Sequence, residues 1–314
     1  MQAKSIGRSN LKIFPLIFGG NVFGWTVDER TSFELLDAFL EAGFNCIDTA
    51  DCYSNWIPGN PGGISEAIIG KWMKSRQCRH KVVISTKVGL KMKEQRGLSK
   101  DHILRSIDES LKRLQTDYVD LYFSHRDDLS WPVEEPLSAY EQLMQQGKVK
   151  AIGASNFEAD RLEQALKASE KHGYPRYECL QPLYNLYDRA VYERPLQPVC
   201  TKYGIGVITY FSLACGFLTG KYRSKEDLLN NQRADLLGKY FTEKGFRILS
   251  TLDQVAKKKG LTPAHISIAW LLAQPNITAA IASATSVEQL NTLIEATQLH
   301  LDQESIALLN KASD

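Results

Sequence analysis

The sequence predicts an α/β protein whose core is a (β/α)8 TIM barrel with an N-terminal β-hairpin and extra C-terminal helices. Eight short segments are apolar at nearly every position, which is typical of parallel strands that are buried on both faces. Stretches with apolar residues at helical spacing separate these segments, and such alternation favours a closed barrel over an open sheet. Since no repeat or linker divides the chain, we expect residues 1–314 to form a single domain.

The predicted elements follow one another in a regular order. The turn residues within Lys4–Ile13 predict a hairpin that plugs the barrel floor. The strands are predicted at Leu16–Gly20, Asn45–Thr49, Val82–Lys87, Tyr118–His125, Val149–Ser155, Cys179–Leu183, Gly206–Phe211 and Thr278–Ser283. The helices between them are predicted at Phe33–Leu40, Glu66–Ser75, Ile103–Leu114 after the N-cap Ser99, Pro136–Gln146, Asp160–His172, Pro195–Tyr203 and Val287–Ala296. Further helical segments are expected at Lys225–Lys258, Pro263–Ala273 and Gln303–Lys311.

Composition and charge exclude several classes of protein. Lys and Arg number 38 against 36 Asp and Glu, a net charge of +2, whereas nucleic-acid-binding proteins usually show a clear basic excess. No apolar stretch is long enough for a transmembrane helix, and residues 1–5 lack an apolar signal core. The six cysteines form no CxxC pair, which favours reduced thiols and no metal site. We therefore expect a cytoplasmic protein without nucleic-acid or membrane partners.

Several common catalytic motifs are missing from the chain. No Gly-x-Gly-x-x-Gly follows the first strand, and Trp25 stands where the glycine spacing of a P-loop would need lysine. Gly-x-Ser-x-Gly and His-Glu-x-x-His are also absent. The usual dinucleotide-binding, NTPase, hydrolase and zinc-protease patterns are therefore excluded.

Four polar residues are predicted at one rim of the barrel. Function in such barrels gathers at the carboxyl ends of the strands. Asp48 ends the second strand and Tyr53 follows it, while Lys87 and His125 end the third and fourth strands. Taken singly, the Asp is more often a cap, the Tyr a packing residue and the Lys a solvated side chain. Their coincidence on three neighbouring strands favours a catalytic site.

This set of side chains is suited to proton donation. A phenol with a pKa near ~10 is a weak acid at neutral pH. A nearby ammonium is expected to lower that pKa, a carboxylate to hold the ammonium in place, and a histidine to orient a carbonyl oxygen. Such a site can protonate an alkoxide as it forms, which is the task of a carbonyl reductase.

Five motifs in order resemble those of the aldo-keto reductases along essentially the whole chain. They are Asp48–Tyr53, Ser85–Lys87, Asp120–His125, Gly147–Phe157 and Leu213–Tyr222. Within the superfamily, Leu213–Gly216 and Arg233–Ala234 look most like the potassium-channel β-subunits, so the chain resembles a bacterial-type member similar to that branch. The resemblance implies that Tyr53 is the general acid, that Asp48, Lys87 and His125 complete a tetrad, and that NADP binds extended across the rim without a Rossmann unit.

The resemblance also implies a set of cofactor contacts. Ser155, Asn156 and Gln181 should hold the carboxamide, and Tyr210 should stack on the nicotinamide unless it is a core aromatic. Segment 212–221 should wrap the pyrophosphate, and Arg233 and segment 283–289 should meet the adenosine end. The full set is Gly20, Asn21, Ser155, Asn156, Gln181, Tyr210, Phe211, Ser212, Leu213, Ala214, Cys215, Gly216, Lys221, Arg233, Ser283, Thr285 and Gln289. Ser283 replaces the usual Gly of the family, and Thr292 and Leu293 replace the acidic residue and Asn that usually meet adenine.

The substrate site and the reaction remain open at this point. Trp25, Trp56 and Arg126 are candidates for the lining of a pocket for a small-molecule carbonyl compound, although Trp56 is equally suited to anchor its own loop. A first alternative is a cofactor-bearing regulatory or binding subunit, but the channel subunits carry a long N-terminal extension that we do not expect here. A second is a lyase or aldolase in which Lys87 forms a Schiff base, which would leave Tyr53 and His125 unexplained.

Overall fold

Eight parallel strands close into a barrel in the computed structural model, which describes residues 2–90, 97–229 and 232–314. A two-stranded hairpin, β1 (Lys4–Ser5) and β2 (Lys12–Ile13), precedes them. The barrel strands are β3 (Leu16–Gly19), β4 (Cys46–Asp48), β5 (Val83–Val88), β6 (Val119–Ser124), β7 (Val149–Ser155), β8 (Tyr177–Gln181), β9 (Gly206–Thr209) and β10 (Ile277–Ala282). They pair in chain order, and β10 closes the ring against β3. The predicted barrel is confirmed.

The largest errors at strand ends lie in β8 and β9. β8 ends at Gln181, two residues before the predicted end, because Pro182 has no N–H to donate to a ladder. β9 ends at Thr209, since Phe211 has a φ of 53° and turns the chain out of the sheet. Leu183 and Tyr210 keep only an isolated bridge between the two segments.

Helices surround the barrel and lie close to their predicted positions. They are α1 (Glu29–Glu41), α2 (Ile64–Arg76), α3 (Lys100–Leu114), α4 (Glu134–Gln145), α5 (Ala159–His172), α6 (Ala190–Glu193), α7 (Leu196–Tyr203), α8 (Ala234–Leu237), α9 (Glu243–Lys259), α10 (Pro263–Leu272), α11 (Val287–Ala296) and α12 (Gln303–Ser313). Ser99 caps α3 as predicted, since its side chain accepts a hydrogen bond from the His102 amide. None of the described helices is long and apolar enough to cross a membrane.

The segment predicted as helical from Lys225 to Lys258 is only partly so. Short 3-10 turns at Lys225–Leu228 and Gly238–Tyr240 flank α8, and regular helix begins only after Thr242, which caps α9. Asn230 and Asn231 lie outside the described residues. The break reflects Gly238 and the two capping residues Ser224 and Thr242, each of which starts a new element.

The interior of the barrel is filled from the floor upward. Ile6 and Ile13 of the hairpin are fully buried in a cluster with inward-facing strand residues such as Leu121 and Phe123. Gly153 of β7 leaves room for the Phe123 ring, because a Cβ there would lie 2.2 Å from it. The hairpin therefore closes the floor as predicted, and side chains can meet a ligand at the carboxyl ends of the strands. All six cysteines are buried as free thiols.

Candidate active site

The four predicted catalytic residues meet at the carboxyl ends of three neighbouring strands. Asp48 is the last residue of β4, Lys87 lies near the end of β5, and His125 directly follows β6. Parallel pairing places Asp48 beside Ser85 and Lys87 beside Phe123. Tyr53 comes from the turn after β4, which brings its hydroxyl back over the same strands.

The Lys87 ammonium is the centre of this arrangement. It is fully buried and lies 2.5 Å from Oδ2 of Asp48, to which it donates. It also donates to the carbonyl of Thr49 at 2.7 Å and to the hydroxyl of Tyr53 at 2.8 Å. An ammonium has three hydrogens, so all of them are committed. The Lys87 nitrogen thus stands directly behind the phenol, and no hydrogen remains free for another partner.

Two side chains hold Asp48 through hydrogen bonds that the sequence analysis did not predict. Ser85 donates to Oδ1 of Asp48 at 2.5 Å, and the Gln181 amide donates to the same oxygen at 3.1 Å. Gln181 was expected to hold a cofactor carboxamide, and here its nitrogen binds the carboxylate. Ser85 belongs to the Ser85–Lys87 motif, and its position two residues before Lys87 points its side chain to the same face of β5.

The environment of Tyr53 keeps its phenol protonated. Burial and the neighbouring Asp48 carboxylate raise the pKa of Tyr53 well above its usual value. The lowering that the sequence suggested is therefore wrong, because desolvation and the Asp48 charge outweigh the Lys87 ammonium. At neutral pH the side chain holds the proton that a general acid must give away.

His125 is held as a neutral imidazole. Burial and the charges of Lys87 and Arg126 place the pKa of His125 well below its usual value. Its Nδ1 lies 3.7 Å from the thiol of Cys52, and its ring centroid is 6.0 Å from that of Tyr53. Cys52 is therefore a supporting residue that the sequence analysis did not identify, since its place inside the Asp48–Tyr53 motif carries no signal of this contact.

Asp51 is a buried carboxyl group beside the tetrad. Its Oδ1 has no hydrogen-bond partner among the described residues. Burial and the nearby Glu66 charge raise its pKa to about 8. Asp51, Cys52 and His125 bring ligand-type atoms within 4.8 Å of one another. The predicted absence of a metal is not tested by this geometry and stays a prediction.

Replacing Asp51 with Asn should stabilise the protein above pH 4, increasingly so up to pH 8. The folded carboxyl keeps its proton to about pH 8, whereas the unfolded one releases it near pH ~4. The wild type therefore loses up to ~1.4 kcal/mol of its free energy of unfolding per pH unit across this window, and the amide does not titrate. Urea unfolding at pH 5 and pH 8 measures the difference, with Asp117→Asn as the exposed control. A difference that does not change with pH contradicts the expectation.

A cavity of about 950 Å³ extends from the tetrad across the rim. Its wall contains most of the predicted site residues: Asn21, Trp25, Asp48, Tyr53, His125, Arg126, Ser155, Asn156, Gln181, Tyr210, Phe211, Ser212, Leu213, Cys215, Gly216, Lys221, Arg233, Ser283, Thr285 and Gln289. Gly20, Ala214, Lys87 and Trp56 are not among its lining residues. Gly20 packs on Ser65, whose hydroxyl would lie 2.8 Å from a Cβ at that position.

Tyr210 lies on the cavity wall and is half-buried, so it is not a core aromatic. Its hydroxyl donates to Oδ1 of Asn156 at 2.8 Å, and the Asn156 amide donates to the carbonyl of His125 at 2.8 Å and to Ser155 at 3.1 Å. The ends of β6, β7 and β9 are thereby tied together. The predicted amide-binding residues form one connected network next to the tetrad.

An unusual backbone run borders the same wall. Phe211, Ala214, Cys215 and Gly216 all have positive φ, at 53°, 50°, 58° and 99°. Side-chain-bearing residues rarely adopt this conformation, which clusters at functional sites. Within this run the amides of Ala214 and Gly216 donate to the carbonyls of Phe211 and Leu213, at 2.7 and 2.9 Å. The role of this segment in wrapping a pyrophosphate stays a prediction.

Aromatic contacts connect the phenol to the far side of the cavity. Trp56 packs on Tyr53 at 6.1 Å between ring centroids and edge-to-face on Trp25 at 5.4 Å. The guanidinium of Arg233 lies 5.2 Å from the centre of the Trp25 ring. Trp56 therefore packs against two residues of the cavity wall, Tyr53 and Trp25, while 46% of its own surface stays exposed. Arg233, directly before α8, thus contacts the segment after β3 that carries Trp25.

The segment after β10 is ordered by its own hydrogen bonds. The Ser283 hydroxyl lies 2.7 Å from the carbonyl of Gly19 and 2.7 Å from Oδ1 of Asn21, which ties β10 to β3. Thr285 donates through its amide and its hydroxyl to Oε1 of Gln289. Ser283 thus makes a bond that the Gly usual in the family could not make.

Comparisons with known proteins show which family the chain resembles. The sequence profile described as "Aldo/keto reductase family" matches residues 15–314. The chain is 36% identical to "Uncharacterized oxidoreductase YrpG" of Bacillus subtilis, over 99% of this chain and 95% of that protein. It is 35% identical to "Aldo-keto reductase YhdN" of the same organism, over 95% and 88%. It is 33% identical to "Probable voltage-gated potassium channel subunit beta" of Oryza sativa subsp. japonica, over 92% and 89%.

Proposed function

Because this chain belongs to the aldo/keto reductase family, we propose that it is an NADPH-dependent oxidoreductase that reduces an aldehyde or ketone with Tyr53 as general acid. The hydrogen bond from Lys87 to the Tyr53 hydroxyl is the main support for the proposal. It holds a buried ammonium next to the oxygen of a protonated phenol. The predicted cytoplasmic location and the absence of nucleic-acid and membrane partners stay predictions.

The tetrad divides the work of proton donation among its members. The phenol gives its proton to the carbonyl oxygen as negative charge develops there, and His125, neutral and beside it, orients that oxygen. Lys87 stabilises the phenolate left behind, because its hydrogen bond to that oxygen becomes charge-assisted on both sides. Asp48 fixes Lys87 and is itself held by Ser85 and Gln181.

The cavity residues fit a nicotinamide dinucleotide. Such a cofactor supplies a hydride when bound. The cavity volume lies at the upper end of the usual range for ligand sites, as an extended dinucleotide needs. Asn156 and Ser155 offer amide and hydroxyl groups beside the tetrad, and Gly216, which lacks a side chain and has a φ of 99°, offers room for close approach. Lys221 and Arg233 supply positive charge along the same wall.

Wild type should bind NADPH about 10- to 100-fold more tightly than NADH, and Arg233→Ala should remove most of that difference. The added phosphate is a dianion, and one charged hydrogen bond is worth roughly 1.5–3 kcal/mol. No acidic residue in 283–287 opposes it. A titration of intrinsic fluorescence with both nucleotides measures the ratio. Arg30→Ala, in an exposed pair on α1, is the control. An unchanged ratio in Arg233→Ala would place the selectivity elsewhere.

A panel of aldehydes and ketones, followed by the absorbance of NADPH, tests the proposed function directly. Turnover that depends on Tyr53 supports the reductase. Tight nucleotide binding without turnover would instead favour a cofactor-bearing regulatory subunit, the candidate that the similarity to a channel subunit β raises. A Schiff-base lyase finds no support, since the Lys87 nitrogen is buried and donates three hydrogen bonds.

A further inference from the structure

Arg126 is an exposed cation on the wall of the cavity, one residue after His125. Within the described ranges it takes part in no ion pair. Its guanidinium lies close enough to the His125 imidazole for its charge to lower the pKa of that ring, and both side chains line the cavity. A cation in this position is available to a ligand in the cavity.

The carboxylates closest to Arg126 along the chain and on the cavity wall are engaged elsewhere. Asp127 receives two hydrogen bonds from Arg161, at 2.8 and 3.0 Å. Asp128 accepts from the amides of Leu98 and Ser130. On the wall itself, Asp48 is held by Lys87, and Asp227 accepts from the amides of Arg223 and Ser224. The protein therefore places a positive charge at the reaction centre without neutralising it through these groups.

The charge of Arg126 affects the pKa values of two side chains on the cavity wall, His125 and Tyr210. After burial and Lys87, it is the third cause of the low pKa of His125. It also opposes the rise in the pKa of Tyr210, which burial brings to about 12. The charge of Arg126 therefore acts on both the imidazole and the Tyr210 phenol, and all three side chains line the cavity together with apolar groups such as Leu90.

We propose that Arg126 is a specificity-determining residue that selects carbonyl substrates carrying a carboxylate a few bonds away from the reacting carbonyl. This inference rests on the proposed reductase function. A guanidinium binds a carboxylate through two parallel hydrogen bonds, and the adjacent aromatic wall favours a flat connecting group. With the carbonyl oxygen at Tyr53 and His125, the carboxylate end of such a substrate meets Arg126.

The test compares 4-carboxybenzaldehyde with its methyl ester, which has nearly the same shape but no charge. In wild type, kcat/KM should favour the acid, and in Arg126→Gln the acid-to-ester ratio should fall ~10- to 100-fold, the usual value of one charged hydrogen-bonding pair. Arg126→Lys should keep part of the preference, because it keeps the charge but loses the fork. Arg30→Gln, on the exposed face of α1, should keep all of it.

The results of this test distinguish a failure of the role proposed for Arg126 from a failure of the proposed reductase function. An equal ratio in wild type and Arg126→Gln, with both aldehydes reduced, overturns the inference and leaves the reductase standing. A constant ratio together with weaker NADPH binding in Arg126→Gln also overturns it, by assigning Arg126 to the cofactor. Failure of wild type to reduce either compound or any member of the aldehyde and ketone panel overturns the proposed function itself.

Discussion

Tyr53→Phe should lower kcat by ~10²–10⁴, because it removes the phenol proton that lies next to the buried Lys87–Asp48 pair, where it can be delivered to a carbonyl oxygen. The ring, and with it the packing against Trp56, remains. The dissociation constant of NADPH should therefore change little. Steady-state kinetics on an aldehyde that wild type reduces, combined with a fluorescence titration of the nucleotide, measure both quantities.

Tyr118→Phe is the matched control, because Tyr118 serves as a ring platform for Arg79 and Lys150 away from the cavity. Turnover of Tyr53→Phe within a few-fold of wild type would remove Tyr53 from the role of acid. A large loss of nucleotide affinity would instead show that the phenol helps to shape the cofactor surface.

Lys87→Met should abolish activity and also lower the free energy of unfolding by about 3–5 kcal/mol. The substitution removes the cation behind the phenol and leaves the Asp48 carboxylate buried without its partner, which is the costly way to break a buried ion pair. Urea unfolding followed by circular dichroism gives the stability, and the aldehyde assay gives the activity.

The double variant Asp48→Asn with Lys87→Met separates the two effects. Removing both charges should recover much of the lost stability, since no uncompensated charge remains, but should recover no activity. A double variant as unstable as Lys87→Met alone would show that packing of the lysine stem, and not the unpaired carboxylate, sets the loss. Activity in either variant would contradict the role given to Lys87.

The sequence was sufficient to place the barrel and the tetrad because both depend on local patterns. Eight apolar runs fix the strands, and parallel pairing then brings their carboxyl ends together whatever the loops do. Asp48, Lys87 and His125 lie at those ends, so their meeting follows from strand length alone. Tyr53 was singled out because it follows the second strand by five residues, but the spacing of a loop residue does not show where its side chain turns, and the resemblance to a family added its role as the acid.

The remaining features of the site depend on contacts between distant segments, which a single sequence does not reveal. Gln181 binds Asp48 across 133 positions of the chain, and Cys52 meets His125 across 73. The rise in the pKa of Tyr53 was missed for the same reason, because burial causes it and the motif does not show how buried the side chain is. The segment from Lys225 to Lys258 was predicted to be more continuously helical than it is. The caps at Ser224 and Thr242 each start a new element within a composition that favours helix.

The six buried thiols offer a way to measure local opening and unfolding of the protein. Cys46 and Cys179 face the barrel interior, Cys78 and Cys200 lie under the helical layer, Cys52 lies against His125, and Cys215 lines the cavity. A thiol reagent can reach the four thiols of the interior and the helical layer only when their surroundings open, so the rate of labelling at each of them reports the opening of one layer, whereas Cys215 reports access to the cavity itself. The chain therefore carries its own set of local probes, and mass spectrometry of labelled peptides can read them without any engineered dye.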